Sequence, residues 1–426
     1  MSVSFHAGGA CGVCVALVLL AAPVAAAQSQ RALTLPQALQ RALAANPRLT
    51  EADREVGMAA GRRLQAGAIP NPEISFELDN AFGTGDLRGL TSAETTLQLS
   101  QLIELGGKRE ARIAAGSAEL EATRWERAAL RLDIASDTAN GFFEVLSEQR
   151  RIDIYDRQIA ALDRLTPLLQ RRVEAGASHP AEVARAQVAA DLVRAERERS
   201  STALAIARIE LATLMGISTP NFSRVVGDLD RVGNPPGFRK VLATIESNPQ
   251  LIRFTALRAQ RDAELLIARL KPIPDLTLGV AWRNLRVSND NAVRLGASIP
   301  IPVWDQNLGA IAEAQESRAK VEAERATAKA ALVLTLGRAY ETLVGAGREI
   351  ELLRNSILPN ARKAVEGTES GYNQGRFTLL ELLDVEGVQY EAALREIEVL
   401  VSFHKSVATI ETLTGTPLAL TREGAR

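Results

Sequence analysis

A long helical hairpin pattern between Gly107 and Gly216 constrains this chain more than any other feature of its sequence. Apolar or small residues recur every three or four positions before a turn at residues 172–180, and the same spacing resumes after the turn. This heptad spacing predicts two helices that face each other as a coiled coil. The positions are Ile152, Tyr155, Ile159, Leu162, Thr166, Leu169 and Val173, then Val183, Ala186, Ala190, Val193, Arg197, Ser200, Leu204, Ala207, Leu211 and Leu214.

The first helix of this hairpin is expected to be very long. No proline falls between Gly107 and Thr166, so one helix is expected to run most of that way. About 67 residues at 1.5 Å per residue give a length of roughly 100 Å. A helix of that length does not fit an ordinary compact globule.

The hairpin pattern occurs twice along the chain. Gly176 matches Gly375, and Gly216 matches Gly415, each 199 positions further on. A period near 200 residues is too long for a solenoid, so it predicts one duplicated unit. The expected organisation is a first repeat at 28–216 with its long hairpin at about 107–215, a linker at 217–237, a second repeat at 238–415 with its hairpin at about 306–414, and a tail at 416–426.

Residues 1–27 are predicted to be a secretory signal peptide. An apolar stretch precedes Ala25-Ala26-Ala27, which offers a small-residue cleavage site before Gln28. The segment has no Lys or Arg, so an unprocessed leader is the alternative. Both cysteines, Cys11 and Cys14, fall inside it, so we expect a mature chain without thiols and without a lipid anchor. The remaining sequence lacks a run of about 18 apolar residues, so no transmembrane helix is expected.

Two pairs of segments have a period of two residues instead of a helical period. They span about 72–80 and 93–103 in the first repeat and about 274–286 and 292–303 in the second. Alternating strands of about ten residues in an exported chain fit an outer-membrane β-barrel with apolar side chains toward lipid. The alternative is a half-buried hairpin packed against helices. Single-chain barrels begin at about eight strands, so four strands per chain predict that several chains pool them, and three chains would supply about twelve.

Short polar segments join the strands to the long helices. The first join is Leu105-Gly106-Gly107-Lys108-Arg109, within the run Leu99-Ser-Gln-Leu-Ile-Glu-Leu-Gly-Gly-Lys-Arg109. The second is Trp304-Asp305-Gln306-Asn307-Leu308-Gly309, within the run Ile299-Pro-Ile-Pro-Val-Trp-Asp-Gln-Asn-Leu-Gly309. We interpret Gly106, Gly107, Asp305, Asn307 and Gly309 as barrel-to-helix hinges. Gly106-Gly107-Lys108 lacks the spacing of a phosphate-binding loop.

With these joins and the duplicated hairpins, nearly the whole expected mature chain resembles the TolC-type outer-membrane efflux proteins. The joins are similar to those of the branch that serves cobalt–zinc–cadmium resistance pumps. The resemblance implies a mainly α fold with membrane β-structure. In it, a homotrimer forms a periplasmic α-barrel and a shared twelve-stranded β-barrel in outer-membrane lipid. It also implies a periplasmic adaptor and an inner-membrane RND-type pump as partners.

The sequence does not point to an enzyme site, a cofactor or a bound metal. His179 and His404 have no His or Cys at metal-ligand spacing, and a formal net charge of −1 gives no reason to expect nucleic acid as a partner. The function implied is therefore a passive exit duct, with divalent heavy metals as cargo. Drug efflux or type I protein secretion is the alternative cargo class, and a periplasmic coiled-coil scaffold without a pore is the alternative of another kind.

The resemblance also places two functional regions on the hairpins. In the family the hairpin tips meet the adaptor, and the tip residues matched here are Val173, Gly176, Ala177, Tyr372, Gly375, Arg376 and Phe377. Glu366 and Glu369, three residues apart and therefore on one helix face, are interpreted as a gate ring at the periplasmic mouth. The first-half positions at the same shift are Pro167 and Gln170, so this acidity belongs to one repeat only.

Overall fold

The computed structural model describes residues 32–420, so the predicted signal peptide and the last residues of the tail lie outside the described part. The helices are α1 (Leu35–Ala45), α2 (Pro47–Ala66), α3 (Lys108–Glu174), α4 (Pro180–Leu214), α5 (Phe238–Leu242), α6 (Pro249–Leu270), α7 (Leu308–Leu352), α8 (Leu358–Asn373) and α9 (Leu379–Thr414). The strands are β1 (Leu33–Thr34), β2 (Glu73–Asp79), β3 (Glu94–Ile103), β4 (Val225–Val226), β5 (Leu276–Leu285) and β6 (Asp290–Ser298). Every helix within residues 32–420 falls short of the length or the hydropathy that a membrane-crossing helix needs.

The first predicted hairpin is confirmed by helices α3 and α4. Helix α3 is 67 residues long and runs without a break through Pro167. The predicted seam is the buried side: Leu162 and Leu169 of α3 and Ala186 and Leu211 of α4 are almost fully inaccessible. The helix is therefore a rod of roughly 100 Å, and it packs on α4, α6 and α2.

The second hairpin differs from the prediction of long, regular helices. The first arm of this hairpin, which leads to the tip, consists of α7, a π-helical turn at Leu353–Ile357, and α8. In this wide turn the N–H of Leu358 donates to the carbonyl of Leu353, five residues back. Pro359 gives the physical reason, because its ring has no N–H and crowds the carbonyl four residues earlier, that of Asn355 in the turn.

One antiparallel sheet has the strand order β2-β3-β5-β6. Its register lines up apolar residues across the sheet, as in the row Phe76, Leu97, Trp282 and Val293. These side chains are between 46% and 73% exposed. The alternative of a hairpin packed against helices is therefore wrong, because the apolar face is open.

Strand β6 ends at Ser298, about five residues before its predicted end. The apolar alternation continues through Ile299, Ile301 and Val303, but Pro300 and Pro302 carry no N–H to donate to a neighbouring strand. The sequence pattern thus extends beyond the hydrogen-bonded ladder.

Corresponding asparagines tie each half of the chain together. Asn46 lies between α1 and α2: its side chain accepts from the N–H of Arg48 at 2.9 Å and donates to the carbonyl of Leu214 at 2.8 Å. Asn248 does the same with Gln250 at 2.7 Å and Leu413 at 2.8 Å. Both asparagines are buried. The parallel supports the duplication, which stays a prediction.

Within residues 32–420, two clusters of buried apolar side chains connect the hairpins. We call the larger one the main core; it joins both hairpins, α1 and the 217–237 linker, and its most buried members include Phe142, Leu211, Leu336, Leu343 and Phe403. The linker also carries strand β4, which pairs in parallel with β1 and was not predicted. We call the smaller cluster the tip core; it consists of Leu169, Ala186, Tyr372, Leu379 and Leu382.

Candidate functional site: the hairpin tips and the barrel-to-helix joins

Both hairpin tips are closed by the same backbone arrangement. Gly176 and Gly375 have left-handed φ angles of 71° and 73°. After the first helix of each hairpin, the N–H of Ala177 donates to the carbonyl of Arg172 at 2.8 Å, and that of Arg376 donates to Gly371 at 2.8 Å. This pair of helix ends is the Schellman type, in which glycine is preferred because it has no Cβ to strain.

The helices that leave the tips are also capped. The ring Nδ1 of His179 accepts from the N–H of Ala181 at 3.1 Å, which accounts for this isolated histidine. Thr378 and Glu381 form a reciprocal capping box, with the Thr378 N–H donating to the Glu381 carboxylate at 2.7 Å. These bonds lower the pKa of Glu381. Both tip turns are therefore held by helix caps, so the helix ends beside them are not frayed.

The predicted tip residues divide into an exposed set and a packed set. Val173 is half-buried and Tyr372 is only 6% exposed, in the tip core. The guanidinium of Arg172, on the other hairpin, lies 4.9 Å from the centre of the Tyr372 ring. Tyr372 therefore joins the two hairpins within one chain. The exposed set is Gly176, Ala177, Gly375, Arg376 and Phe377.

Phe377 lies against the last turn of α8. A Cβ built on Gly371 would collide with the Phe377 ring, so glycine at 371 allows the ring to fold back over the helix end. The ring remains 43% exposed. The second tip thus presents an apolar surface beside the charge of Arg376.

Glu366 and Glu369 are both exposed on α8. Among the described residues, neither carboxylate has a basic group within ion-pair distance. Glu386 of α9 is a further carboxylate that the sequence interpretation missed. Burial, and then the charge of Glu369, raise the pKa of Glu386, while Arg164 of α3 opposes them. The sequence signal for Glu386 is its place at a core position of the heptad, four residues after Leu382, where an apolar residue is expected.

At the joins, three of the five predicted hinge residues have left-handed backbone. Gly106, Gly107 and Asn307 have φ angles of 74°, 79° and 59°. The Asp305 carboxylate accepts from the N–H of Asn307 at 2.9 Å, which supports that turn. Gly309 lies inside α7 without a left-handed φ, so the backbone there does not require glycine. The hinge function of all five stays a prediction.

Asp275, directly before β5, contacts the first join and was not singled out from the sequence. Its carboxylate accepts from the N–H of Leu105 at 3.0 Å and pairs with the ammonium of Lys108 at 2.8 Å. Ile273 beside it packs on Gly106, where a Cβ would come within 2.8 Å of the Ile273 Cδ1. The start of α3 is thus fastened to the segment that leads into β5.

Within residues 32–420, no group of three or more His, Cys, Asp or Glu side chains is arranged to hold a metal ion. His404 is largely buried, stacks on Phe143 at 4.9 Å and bonds to the Leu229 carbonyl at 2.9 Å. Burial lowers the pKa of His404. This histidine is a packing residue of the main core.

Comparison with known proteins agrees with this architecture. The chain is 29% identical over 393 residues to the cobalt-zinc-cadmium resistance protein CzcC of Cupriavidus metallidurans, which covers 92% of each chain. It is 24% identical to the nickel-cobalt-cadmium resistance protein NccC of Alcaligenes xylosoxydans xylosoxydans, over 74% of this chain and 71% of the relative. A crystal structure of CusC is similar in fold, with a TM-score of 0.78 at 15% identity, over 90% of this chain and 92% of that one.

A family model described as "Outer membrane efflux protein" matches residues 38–217 and 243–416, which is most of the chain. The matched ranges contain the hairpins, the four-stranded sheet and both joins. The chain therefore belongs to the outer membrane efflux protein family, whose members lie in the outer membrane and extend into the periplasm.

Proposed function

We propose that this chain is the outer-membrane exit duct of a three-component efflux pump that exports divalent heavy-metal cations. Family membership supports the duct, and the names of the metal-resistance relatives support the cargo. The duct is passive and not an enzyme. An inner-membrane RND-type pump supplies the energy, and a periplasmic adaptor connects the pump to this chain. The chain itself supplies a water-filled channel with a gate.

The four-stranded sheet is the single observation that carries the proposal. One face is apolar and exposed, and β2 and β6 have no neighbour on their outer edges among the described residues. Open sheet edges are not tolerated in lipid, so the edges must pair with other chains. A homotrimer pairs β6 of each subunit with β2 of the next and closes about twelve strands, with polar faces toward water.

The exposed tips are the proposed adaptor-docking surface. Gly176 and Ala177 on the first hairpin, and Gly375, Arg376 and Phe377 on the second, face solvent in the single chain. Val173 and Tyr372 support these tips from within the hairpins. Small and apolar residues at a helix–turn–helix tip suit the groove of a helical partner.

Glu366 and Glu369 are the proposed gate ring. Three subunits bring six carboxylates to the periplasmic mouth, and a ring of carboxylates favours cations in a narrow pore. The test is the reversal potential of the reconstituted channel in a salt gradient. Glu366→Gln/Glu369→Gln is expected to lower cation selectivity.

The matched control is Glu313→Gln/Glu316→Gln, an exposed pair with the same spacing at the far end of the second hairpin. It is expected to leave the selectivity close to that of the wild type. If the tip pair and the control pair give the same selectivity, the ring is excluded.

Deletion of the gene tests the cargo. A strain without the chain is expected to become sensitive to zinc, cobalt and cadmium, and re-expression is expected to restore resistance. Sensitivity to dyes and antibiotics alone would assign a drug duct, and loss of a secreted polypeptide would assign type I secretion. Release of the chain by osmotic shock, without membrane extraction, would support the scaffold instead.

A further inference from the structure

The two outer edges of the four-stranded sheet carry charged side chains that find no partner within the chain. On the polar face, the charges of the two inner strands pair with each other, Arg283 with Glu94. The edge strands differ: Arg294 of β6 and Glu77 and Asp79 of β2 are exposed, and none of the three forms an ion pair within residues 32–420. One edge therefore offers an unpaired guanidinium, and the other offers unpaired carboxylates on the same face.

Charge decides which edges can meet when chains pool their strands. Pairing β2 with β2 of another chain would bring the carboxylates of Glu73, Glu77 and Asp79 together, and pairing β6 with β6 would bring two copies of Arg294 together. Like charges opposite each other destabilise a strand pair. The complementary contact joins β6 of one chain to β2 of the next. It is a head-to-tail contact, which can close a ring.

The size of the stagger at this contact follows from barrel geometry. Within the chain, opposite residues run across the sheet from Ser75 through Gln98 and Ala281 to Arg294. Strands tilted by about 35–45° and spaced about 4.8 Å apart need a stagger of about four to six residues for every four strands. Only an even stagger keeps the polar side chains on one face. Arg294 therefore lies opposite a residue four or six positions away from Ser75 of the next chain.

The helices that flank the sheet give the direction of the stagger. If the row of opposite residues through Ala66, the end of α2, is prolonged across the sheet, it meets the chain after β6 about five residues before α7 begins at Leu308. A barrel joined to a helical tube places these helix ends at one level, so β2 of the next chain is displaced toward the helical end of β6. This displacement gives a neighbour to Ile299, which is 50% exposed and follows Ser298, the last residue of β6 with a partner on β5.

We propose that β6 of each chain pairs with β2 of the next in the register that places Arg294 opposite Asp79, and we call this contact the β6–β2 seam. The register is the stagger of four residues, and it brings the unpaired charges of the two edges together. A stagger of six would place Arg294 beyond β2, opposite Ala81. The seam rests on the proposed trimeric duct, and it adds the residues by which the subunits recognise each other.

The same register matches apolar side chains on the other face of the seam. It places Leu295 opposite Leu78 and Ile299 opposite Ile74, and all four side chains are exposed in the single chain. Each of them gains a cross-strand neighbour, and the main-chain groups of both edges gain hydrogen-bond partners. The pair of Arg294 with Asp79 lies on the water-facing side, where an ion pair contributes little free energy. Its main effect is therefore to select the register.

Disulfide formation between introduced cysteines tests the register of the seam. The mature chain is expected to have no thiol of its own, because Cys11 and Cys14 fall within residues 1–27. On oxidation in the outer membrane, Ile299→Cys/Ile74→Cys is expected to give covalently linked dimers and trimers, because opposite residues lie within disulfide distance. The matched control is Ile299→Cys/Phe76→Cys, which tests the stagger of six. Diagonal neighbours lie about 7–8 Å apart, so the control is expected to cross-link about fivefold less.

Charge exchange tests the pair of Arg294 with Asp79 itself. Arg294→Glu is expected to lower the amount of trimer that survives electrophoresis without boiling by about twofold or more, because like charges then face each other at every seam. Adding Asp79→Arg is expected to restore the trimer, which a defect confined to β6 would not allow. The matched control is Arg286→Glu, the same charge change at an exposed residue between β5 and β6. It is expected to leave the amount of trimer unchanged.

The outcomes separate the seam from the duct. If the Phe76 variant cross-links better than the Ile74 variant while the protein is still a conducting trimer, the register is wrong and the duct stands. If Ile299→Cys alone gives linked dimers, β6 meets β6 and the head-to-tail contact is wrong. If Asp79→Arg does not restore the trimer of Arg294→Glu, the charge pair is wrong. If the wild type is a monomer that does not conduct, both the duct and the seam fail.

Discussion

The two long hairpins match in length and tip geometry, yet they are built differently. The first has an unbroken helix of 67 residues, and the second divides the same path into 45 residues of α7, a five-residue π turn and 16 residues of α8. The acidic residues Glu366 and Glu369 also occur only in the second. The first hairpin is therefore suited to stay rigid, and the second is suited to change conformation at a gate.

The hairpins meet again at the tip core, where their contributions are unequal. Tyr372 of the second hairpin is almost fully buried, whereas Val173, the residue 199 positions earlier in the first, is half-buried. The two hairpins therefore differ at this matched position, although Leu169 and Ala186 of the first hairpin are also buried in the tip core. Changes at matched positions in the two hairpins test whether this difference is real.

The largest effect is expected at the tip core. Tyr372→Ala is expected to destabilise the tip packing by about 3 kcal/mol, as buried aromatic truncations do, and to increase channel open probability strongly. Val173→Ala is expected to cost about 1 kcal/mol or less, because the side chain is smaller and partly exposed. Channel recordings and local hydrogen exchange at the tips measure the two effects.

Tyr372→Phe is the control for the ring itself. It keeps the packing and the face that Arg172 covers, so its channel is expected to resemble the wild type. Equal opening by Tyr372→Ala and Val173→Ala would show that the two hairpins contribute alike, against the asymmetry described above.

The prolines provide a second, smaller comparison. Pro167→Ala is expected to stabilise the chain by about 1–2 kcal/mol, because a proline inside a helix costs up to about 3 kcal/mol relative to alanine. Part of that gain is offset by the greater freedom of alanine in the unfolded chain. Pro359→Ala is expected to change stability by less than about 1 kcal/mol, since the first turn of a helix tolerates proline. Denaturant unfolding compares the free energies of unfolding of the two variants. A larger increase in stability for Pro359→Ala than for Pro167→Ala would contradict the view that the π turn accommodates Pro359 without strain.

The smallest expected effect is the pH dependence that Glu386 of the second hairpin contributes. Because the folded pKa of Glu386 is raised above the ordinary glutamate value, the folded chain binds more protons than the unfolded chain between those two values. Stability of the tip packing therefore increases as pH falls through the raised pKa and decreases as pH rises through that window. Open probability is expected to fall modestly as pH falls through the raised pKa of Glu386.

The Glu386→Gln variant isolates this carboxyl from other titrating groups, including His404. It is expected to lose the pH dependence and to remain in the more closed state. A pH dependence that is the same in the variant as in the wild type would assign it to other residues.

Local patterns were enough to predict much of the fold. The heptad seam predicts α3 and α4, alternation predicts the four strands to within a few residues except for the end of β6, and Gly176 and Gly375 predict the tip turns. These features depend on spacing and on backbone conformations that few residue types adopt.

The missed features depend on contacts between distant parts of the chain. Asp230 meets Arg150 and Arg354 across 80 and 124 residues. Tyr372 is buried partly by Leu169 and Arg172 of the distant helix α3. The two-residue pair of β1 with β4 is too short to leave a periodic signal. Pro359 was visible in the sequence, but a π turn and a simple kink carry the same proline signal.

Native mass spectrometry of the detergent-extracted protein measures how many chains form one duct. A shared duct predicts a particle of three chains that stays assembled in detergent. A particle of one chain would contradict it. In such a monomer, the chain's own helices would have to cover the exposed row Phe76, Leu97, Trp282 and Val293.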